Sequence, residues 1–213
     1  MCNLYSLTKG QQAIRELFRV TRDLGGNLPS LPAIFPDQMA PVISNARDGE
    51  RQLEMMRWGF PGPPNLSKVP VTNVRNTQSP YWRGWLKAEF RCLVPFTSFC
   101  EYEDTKPRKT PTWFALSDDR PLAAFAGIWR PWTGTRGTKA APVEGEHRLF
   151  SFLTTEPNAE VGAIHPKAMP AVLTTQDAFE TWLTGPVEDA LRLQRPLHDG
   201  ALAVVARGSR EDP

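Results

Sequence analysis

Apolar residues recur along this chain in two rhythms. Ile14, Leu17 and Phe18 follow helical spacing, and the T-x-x-Q pattern from Thr8 to Gln11 ahead of them predicts an amphipathic helix over about 9–20, opened by a capping box and closed by Gly25 and Gly26. From there to about Asn73 proline-rich text is broken by short apolar runs, AIF, APVIS and RQLEMMRWGF, which predict strands bounded by turns. Ser79-Pro80 reads as an N-cap with proline at the first helical position, opening a short helix through YWRGWLKAE. The runs RCLVPFTSFCEY, TWFALS, LAAFAGIW and HRLFSFLTT, rich in aromatic and branched residues, predict the main sheet. EPNAEVGAI, TQDAFETWL and PVEDALRLQ read as short helices, the second with Phe179, Trp182 and Leu183 on one face, and the polar ARGSREDP predicts a loose end. With no repeat, low-complexity block or linker, residues 2–205 are assigned to one mixed α+β, sheet-rich domain and residues 206–213 to a flexible tail.

Composition narrows the class. The 213 residues, 40% hydrophobic and 23% charged, describe an ordinary globular protein and exclude fibrous or disordered chains. Twenty-one scattered prolines break the chain too often for a helical bundle. A net charge of +2 is too small for global attraction to nucleic acid, so any anion-binding surface is local. An odd count of three cysteines, with no secretory leader before them and no apolar run long enough for a membrane span, points to a reducing cytoplasm without membrane insertion.

The candidate chemistry begins at Cys2. Initiator methionine is trimmed before so small a residue, and trimming leaves a free α-amine and a thiol on adjacent carbons. Such an aminothiol condenses with an aldehyde to an imine and then closes a thiazolidine ring. An α-amine is neutral in roughly a tenth or more of molecules at neutral pH, a lysine in fewer than roughly one in a thousand. Cys92 and Cys100 lie in apolar text and read as buried, inert thiols whose spacing does not suit a zinc site. Glu101 follows an apolar run, where burial raises a carboxyl's proton affinity toward that of a general acid. His165 stands before a turn and a short strand, whereas His147 and His198 read as surface residues. Asn73 and Arg75 alternate on a strand end, which predicts one face on which the amide holds an N-terminal amine and the guanidinium a phosphate.

Met-Cys-Asn at the start, RWGF at 57–60, TNVRNT around Asn73, LVPFTSFCEY before Glu101 and IHPKAMPAVL around His165 together resemble the SRAP family (SOS response-associated peptidases) over about residues 2–183. The resemblance implies a mainly antiparallel, barrel-like β core flanked by short helices. It also implies capping of abasic sites in single-stranded DNA through a thiazolidine crosslink, with AP-lyase and crosslink-reversal chemistry alongside. It makes Cys2 the nucleophile, Asn73 the group that positions the N-terminus, Arg75 a phosphate ligand, Glu101 the acid and base of ring opening and imine formation, and His165 a proton shuttle. No metal or organic cofactor is implied, and the protein is expected to be a cytoplasmic, nucleoid-associated monomer with replication-associated partners.

Three positions depart from the family pattern: Asn3 where glycine is common, Thr77 where a glutamate is common, and PGPPN after RWGF where base-packing aromatics are common. Stacking is then expected from Tyr81, Trp82 or Trp85. A local basic surface is expected from Arg75, Arg83 and Lys87 with the loop residues Lys106, Arg108 and Lys109. Two other classes remain open at this point: a cysteine-type (auto)peptidase using the Cys2 thiol with His165 and Asn73, and a plain single-strand-binding module.

Overall fold

The structure is a computed structural model that describes residues 2–62 and 69–212; residues 63–65 of the PGPPN segment therefore lie outside the described residues. In chain order the strands are β1 (Tyr5–Leu7), β2 (Arg22–Asp23), β3 (Leu31–Ile34), β4 (Met39–Asn45), β5 (Arg51–Trp58), β6 (Asn73–Val74), β7 (Arg91–Phe96), β8 (Ser98–Glu103), β9 (Thr110–Ala115), β10 (Ala123–Thr138), β11 (Ala141–Thr155), β12 (Met169–Pro170), β13 (Val172–Leu173) and β14 (Ala203–Arg207). The helices are α1 (Gln11–Leu17), α2 (Pro80–Arg83), α3 (Ala159–Gly162), α4 (Gln176–Thr184) and α5 (Val187–Leu191).

Strands β5, β4, β7, β10 and β11 pair in that order, and β11 returns to β5 through the parallel pairs Leu149↔Arg57 and Phe150↔Trp58, closing a five-stranded barrel whose other pairings are antiparallel. Closure removes sheet edges and explains why β7 is buried along its whole length. Tyr5, Trp58, Phe96, Phe125 and Phe152 form one aromatic cluster, with centroids 4.0 Å apart for Phe96 and Phe125 and 4.6 Å for Phe125 and Phe152. Each such buried ring contributes roughly 1.5–3 kcal/mol. Helix α4 covers β7: Phe179, Trp182 and Leu183 are buried as the helical spacing predicts, and Trp182 Nε1 donates to Cys92 O and Gly127 O at 2.9 and 3.0 Å. The sheet-rich α+β expectation with a barrel-like core is met.

A second sheet, ordered β14-β9-β8-β1-β3, positions the site. Pairing of β1 with β8 extends back before the first residue of β1, because Cys100 N donates to Leu4 O at 2.9 Å, and this lays Cys2 beside Cys100 and Glu101 in the middle of β8.

Four sequence expectations change. The capping box does not form: Thr8 N and Oγ1 engage Thr97 Oγ1, the Gln11 amide bonds Asp23 and Gly26 in the following loop, and α1 starts after Gly10 with no side-chain cap. Tertiary partners for both side chains outweigh a local cap. The tail is docked rather than loose. Its first two residues end β14 against β9, and Asp212 is buried, accepting from Ser98 Oγ (2.6 Å) and from Arg120 Nε and Nη2 (2.8 and 2.9 Å). The runs LAAFAGIW and HRLFSFLTT are only the inner halves of β10 and β11, which continue as a long hairpin arm paired from Gly127↔Phe152 out to Thr138↔Ala141. His147, expected at the surface, is half-buried in that arm, its Nε2 3.1 Å from Gly134 O and 3.2 Å from Val143 O.

Candidate functional site

Cys2 is 1% exposed. Its Sγ donates to Leu4 O at 3.5 Å and lies 4.0 Å from Cys100 O. Asn73 Nδ2 donates to Cys2 O at 2.8 Å and to Thr72 Oγ1 at 3.0 Å, and Thr72 Oγ1 in turn donates to Asn3 Oδ1 at 2.8 Å. Strand β6 runs parallel to β11 with Asn73 opposite Phe152, so the amide that clamps the N-terminal backbone is fixed to the barrel wall. Asn73 Oδ1 is buried and has no hydrogen-bond partner among the described residues, leaving one acceptor available inside the site.

Glu101 on β8 is 2% exposed, and its Oε2 lies 3.8 Å from His165 Nε2. Burial pushes the Glu101 carboxyl up from the ordinary 4.5 to about 7, against the opposing pull of the charged chain N-terminus. Its Oε1 is buried without a hydrogen-bond partner among the described residues. His165 follows α3, whose end it reaches through His165 N donating to Val161 O at 2.7 Å. Burial holds this imidazole below its usual range, and the charges of the N-terminus, Lys167 and Lys109 add to the effect. At neutral pH the pair is thus a neutral imidazole facing a carboxyl near half-protonation, able to pass a proton either way. The Cys2 thiol is pushed well above the cysteine range, first by burial and then by the Glu101 charge.

The structure brings Cys2, Asn73, Glu101 and His165 together. The shared face for Asn73 and Arg75 is not formed. Asn73 is buried in β6, whereas Arg75 lies just beyond the strand, about half exposed, with its guanidinium 3.3 Å from Glu156. Asn73 also grips the Cys2 carbonyl rather than an amine.

Lys106, Arg108 and Lys109 are exposed on the loop between β8 and β9, and Lys109 is close enough for His165 to feel its charge. Arg83 is exposed at the end of α2. Trp82 is withdrawn as a stacking residue: it is buried, with ring centroids 5.8 Å from Phe60 and 4.6 Å from Tyr81. Tyr81 is half-buried, its hydroxyl donating to Pro61 O at 2.9 Å. Trp85 meets Phe90 edge-on and lies under the Arg130 guanidinium. Thr77 has become structural, its buried Oγ1 donating to Gln194 Oε1 at 3.0 Å, with the same Gln194 amide donating to Arg75 O and Thr154 O.

Thr72 and Lys167 were missed. Thr72 joins Asn3 to Asn73, and its signal was a hydroxyl beside the motif asparagine; Lys167, two residues after His165, offered only a lone cation. Among the described residues no group of three or more His, Cys, Asp or Glu is arranged to hold a metal ion, and no helix is long and apolar enough to cross a membrane.

A family model described as SOS response associated peptidase (SRAP) matches residues 1–206. The chain is 28% identical over 192 residues to the abasic site processing protein YobE of Bacillus subtilis, covering 86% of this chain and 82% of that protein. Crystal structures of a protein from Bacteroides thetaiotaomicron and one from Bordetella bronchiseptica share the fold, each with a TM-score of 0.72. The first is 20% identical, covering 95% of this chain and 90% of its own; the second is 22% identical, covering 97% and 98%.

Proposed function

The chain belongs to the SOS response associated peptidase (SRAP) family, and on that premise we propose that it processes abasic sites in single-stranded DNA by capturing the ring-opened sugar on Cys2 once Met1 is removed. The single observation that carries this reading is the buried Glu101 carboxyl, at about 7, electrostatically coupled to the Cys2 thiol and 3.8 Å from His165. The name of the YobE relative supports the substrate class.

Opening the sugar requires a proton delivered to the ring oxygen and one taken from the C1′ hydroxyl, work for a group that is half-protonated at neutral pH. The Cys2 amine then adds to the C1′ aldehyde, and loss of one water yields an imine. Addition of the thiol across the C=N bond, with its proton passing to nitrogen, closes the thiazolidine; no oxidant or reductant enters. A neutral thiol suits this last step, because the proton it releases is the one nitrogen receives. The imine is also the species from which β-elimination cleaves the strand, so ring closure diverts an AP-lyase path, and reprotonation by Glu101 or His165 reverses it. Asn73 holds the Cys2 backbone, and Arg75 and Lys109 supply phosphate contacts.

A thiol peptidase needs an activated thiolate, whereas burial and the Glu101 charge push this thiol the other way. The two readings separate when one residue is inserted between Met1 and Cys2. A crosslinker loses its denaturation-resistant band on uracil-containing single-stranded DNA treated with uracil-DNA glycosylase, because amine and thiol are no longer adjacent. A band of unchanged intensity from the inserted protein rejects the aminothiol mechanism.

A further inference from the structure

Cys2 stands just ahead of β1, a three-residue strand that meets β8 at Tyr5↔Phe99 and Ser6↔Ser98, with Cys100 N donating to Leu4 O and Thr97 N to Ser6 O. Its pairing with β3 on the other side is irregular between Tyr5 and Leu7. So short a ladder specifies register weakly. A slip of one residue would turn Tyr5 out of the aromatic core, but a slip of two keeps every side chain on its own face and moves Cys2 along β8 by roughly 6–7 Å. Burial alone does not choose between those registers.

The opposite face of the sheet carries the choice. Tyr5 and Phe99 point into the main core, whereas Leu4, Cys100 and Trp113 pack in a smaller cluster on the other side. Residues 208–212 cross that side from β9 to β3. Gly208 N donates to Pro111 O at 2.9 Å, Trp113 Nε1 to Ser209 O at 2.9 Å and Asp212 N to Pro32 O at 3.0 Å, while the Arg210 guanidinium lies 5.0 Å from the Phe35 ring centroid.

From the β3 end of this crossing the Asp212 side chain reaches back to β8 and β1. Ser6 and Ser98 are a directly opposed pair of the ladder, and their hydroxyls, 2.7 Å apart, both donate to Asp212 Oδ2, at 3.3 and 2.6 Å. Thr97 Oγ1 stands 3.0 Å from Ser6 Oγ as well. The carboxylate is 0% exposed, and its charge is met by a two-point contact from Arg120, with Nε 2.8 Å from Oδ2 and Nη2 2.9 Å from Oδ1. After a slip of two residues Ser6 would face Phe96 or Cys100 in place of Ser98, so one hydroxyl donor would leave the buried carboxylate. The two serines fit Asp212 together in the observed register alone.

We propose that Asp212 is a positioning residue for the Cys2 chemistry: by bridging Ser6 and Ser98 it locks the register of the N-terminal strand and so holds Cys2 against Glu101 and His165. The inference rests on the function proposed above for the reaction it serves. Asp212 acts through β1 and β8, on the face of the sheet opposite the reacting groups. Displacing an attacking group by about 1 Å costs about a hundredfold in rate, so a register that drifts even part of the time slows capture of the sugar.

The test follows adduct formation in single turnover on saturating single-stranded DNA whose abasic sites are made from uracil by uracil-DNA glycosylase, at a temperature where circular dichroism shows each variant folded. Asp212→Ala is predicted to slow the adduct step by about 10–100-fold, with unchanged Kd for an oligonucleotide carrying a non-reactive tetrahydrofuran. Asp212→Asn, whose amide oxygen still accepts from both serines, recovers most of the rate. Phe179→Leu, buried in α4 outside this sheet, lowers Tm yet reacts at the wild-type rate, so lost stability does not move the readout. A wild-type rate in folded Asp212→Ala, or equal slowing in Phe179→Leu, overturns the inference. Hydrogen exchange of the wild-type protein needs no variant to fold. The amides of Asp212 and Cys100 are predicted to open as one unit, and an Asp212 amide that exchanges freely while Cys100 stays protected also overturns it. Absence of an adduct from wild type rejects the proposed function, and the exchange measurement then still decides whether Asp212 holds the strand. An adduct from wild type that folded Asp212→Ala forms equally fast rejects the positioning role alone.

Discussion

Glu101→Gln separates the stability of the fold from its chemistry. The Glu101 carboxyl titrates near 7 in the folded protein against an ordinary 4.5, because burial penalises its charged form. The folded state therefore binds this proton more tightly than the unfolded chain does. Its stabilising effect is fully present below about pH 4.5 and is lost as pH rises through about 7. A shift of this size corresponds to about 3 kcal/mol, and a side chain 3% exposed requires little discount for solvent screening. The amide cannot ionise, so Glu101→Gln is predicted to gain on wild type as pH rises from 5 to 8, by up to about 3 kcal/mol. For a chain of this length that is about 6–12 °C in Tm. His165 shifts in the opposite sense: its lowered value costs stability as pH falls below about 6.5, so the Glu101 effect is read on the alkaline side, between pH 6.5 and 8. The assay is thermal unfolding by circular dichroism at half-unit pH steps, paired with single-turnover adduct formation at pH 7. The variant is predicted to form adduct about 10²–10⁴-fold more slowly while being more stable at pH 8. A constant Tm difference across pH 5–8 refutes the raised carboxyl, and an unchanged rate removes Glu101 from the mechanism.

Other perturbations probe the supports of the site. Asn73→Ala removes the donor to the buried Cys2 carbonyl and is predicted to cost about 1–3 kcal/mol in urea unfolding and to slow adduct formation; a rate equal to wild type denies it a positioning role. Asp212→Ala leaves Arg120, Ser6 and Ser98 without their shared acceptor, and a loss of about 2–4 kcal/mol is expected by the same measurement; no loss shows that the docked C-terminal segment does not hold the sheet. Arg75→Ala should reduce the salt slope of DNA binding by about one, and a slope equal to that of wild type excludes a phosphate contact.

Local patterns foretold what local forces decide. The α4 stripe of Phe179, Trp182 and Leu183, the buried run at β7 and the raised carboxyl of Glu101 follow from spacing and from apolar neighbours. What long-range pairing decides was hidden. Barrel closure depends on a parallel contact between Trp58 and Phe150, and nothing in either strand's composition announces a partner so distant in sequence. The outer halves of β10 and β11 carry exposed polar residues, threonines and glycines, so they lack the alternation that marks a half-buried strand. Asp212 looked like tail because its polar neighbours gave no hint of Arg120 and Ser98 waiting across the sheet. Thr8 and Gln11 matched a capping pattern that Thr97 and Asp23 outcompeted.

The central claim is that an N-terminal aminothiol at Cys2 captures the abasic sugar. Mass spectrometry of the adduct, isolated under denaturing conditions without borohydride and digested to peptides, tests it most directly. The account predicts that the modified peptide begins at Cys2, lacks Met1, and carries the sugar fragment with the loss of one water, and that Cys2→Ala yields no such species. A fragment carried on Lys109 or Lys167, or an adduct that persists in Cys2→Ala, would contradict it.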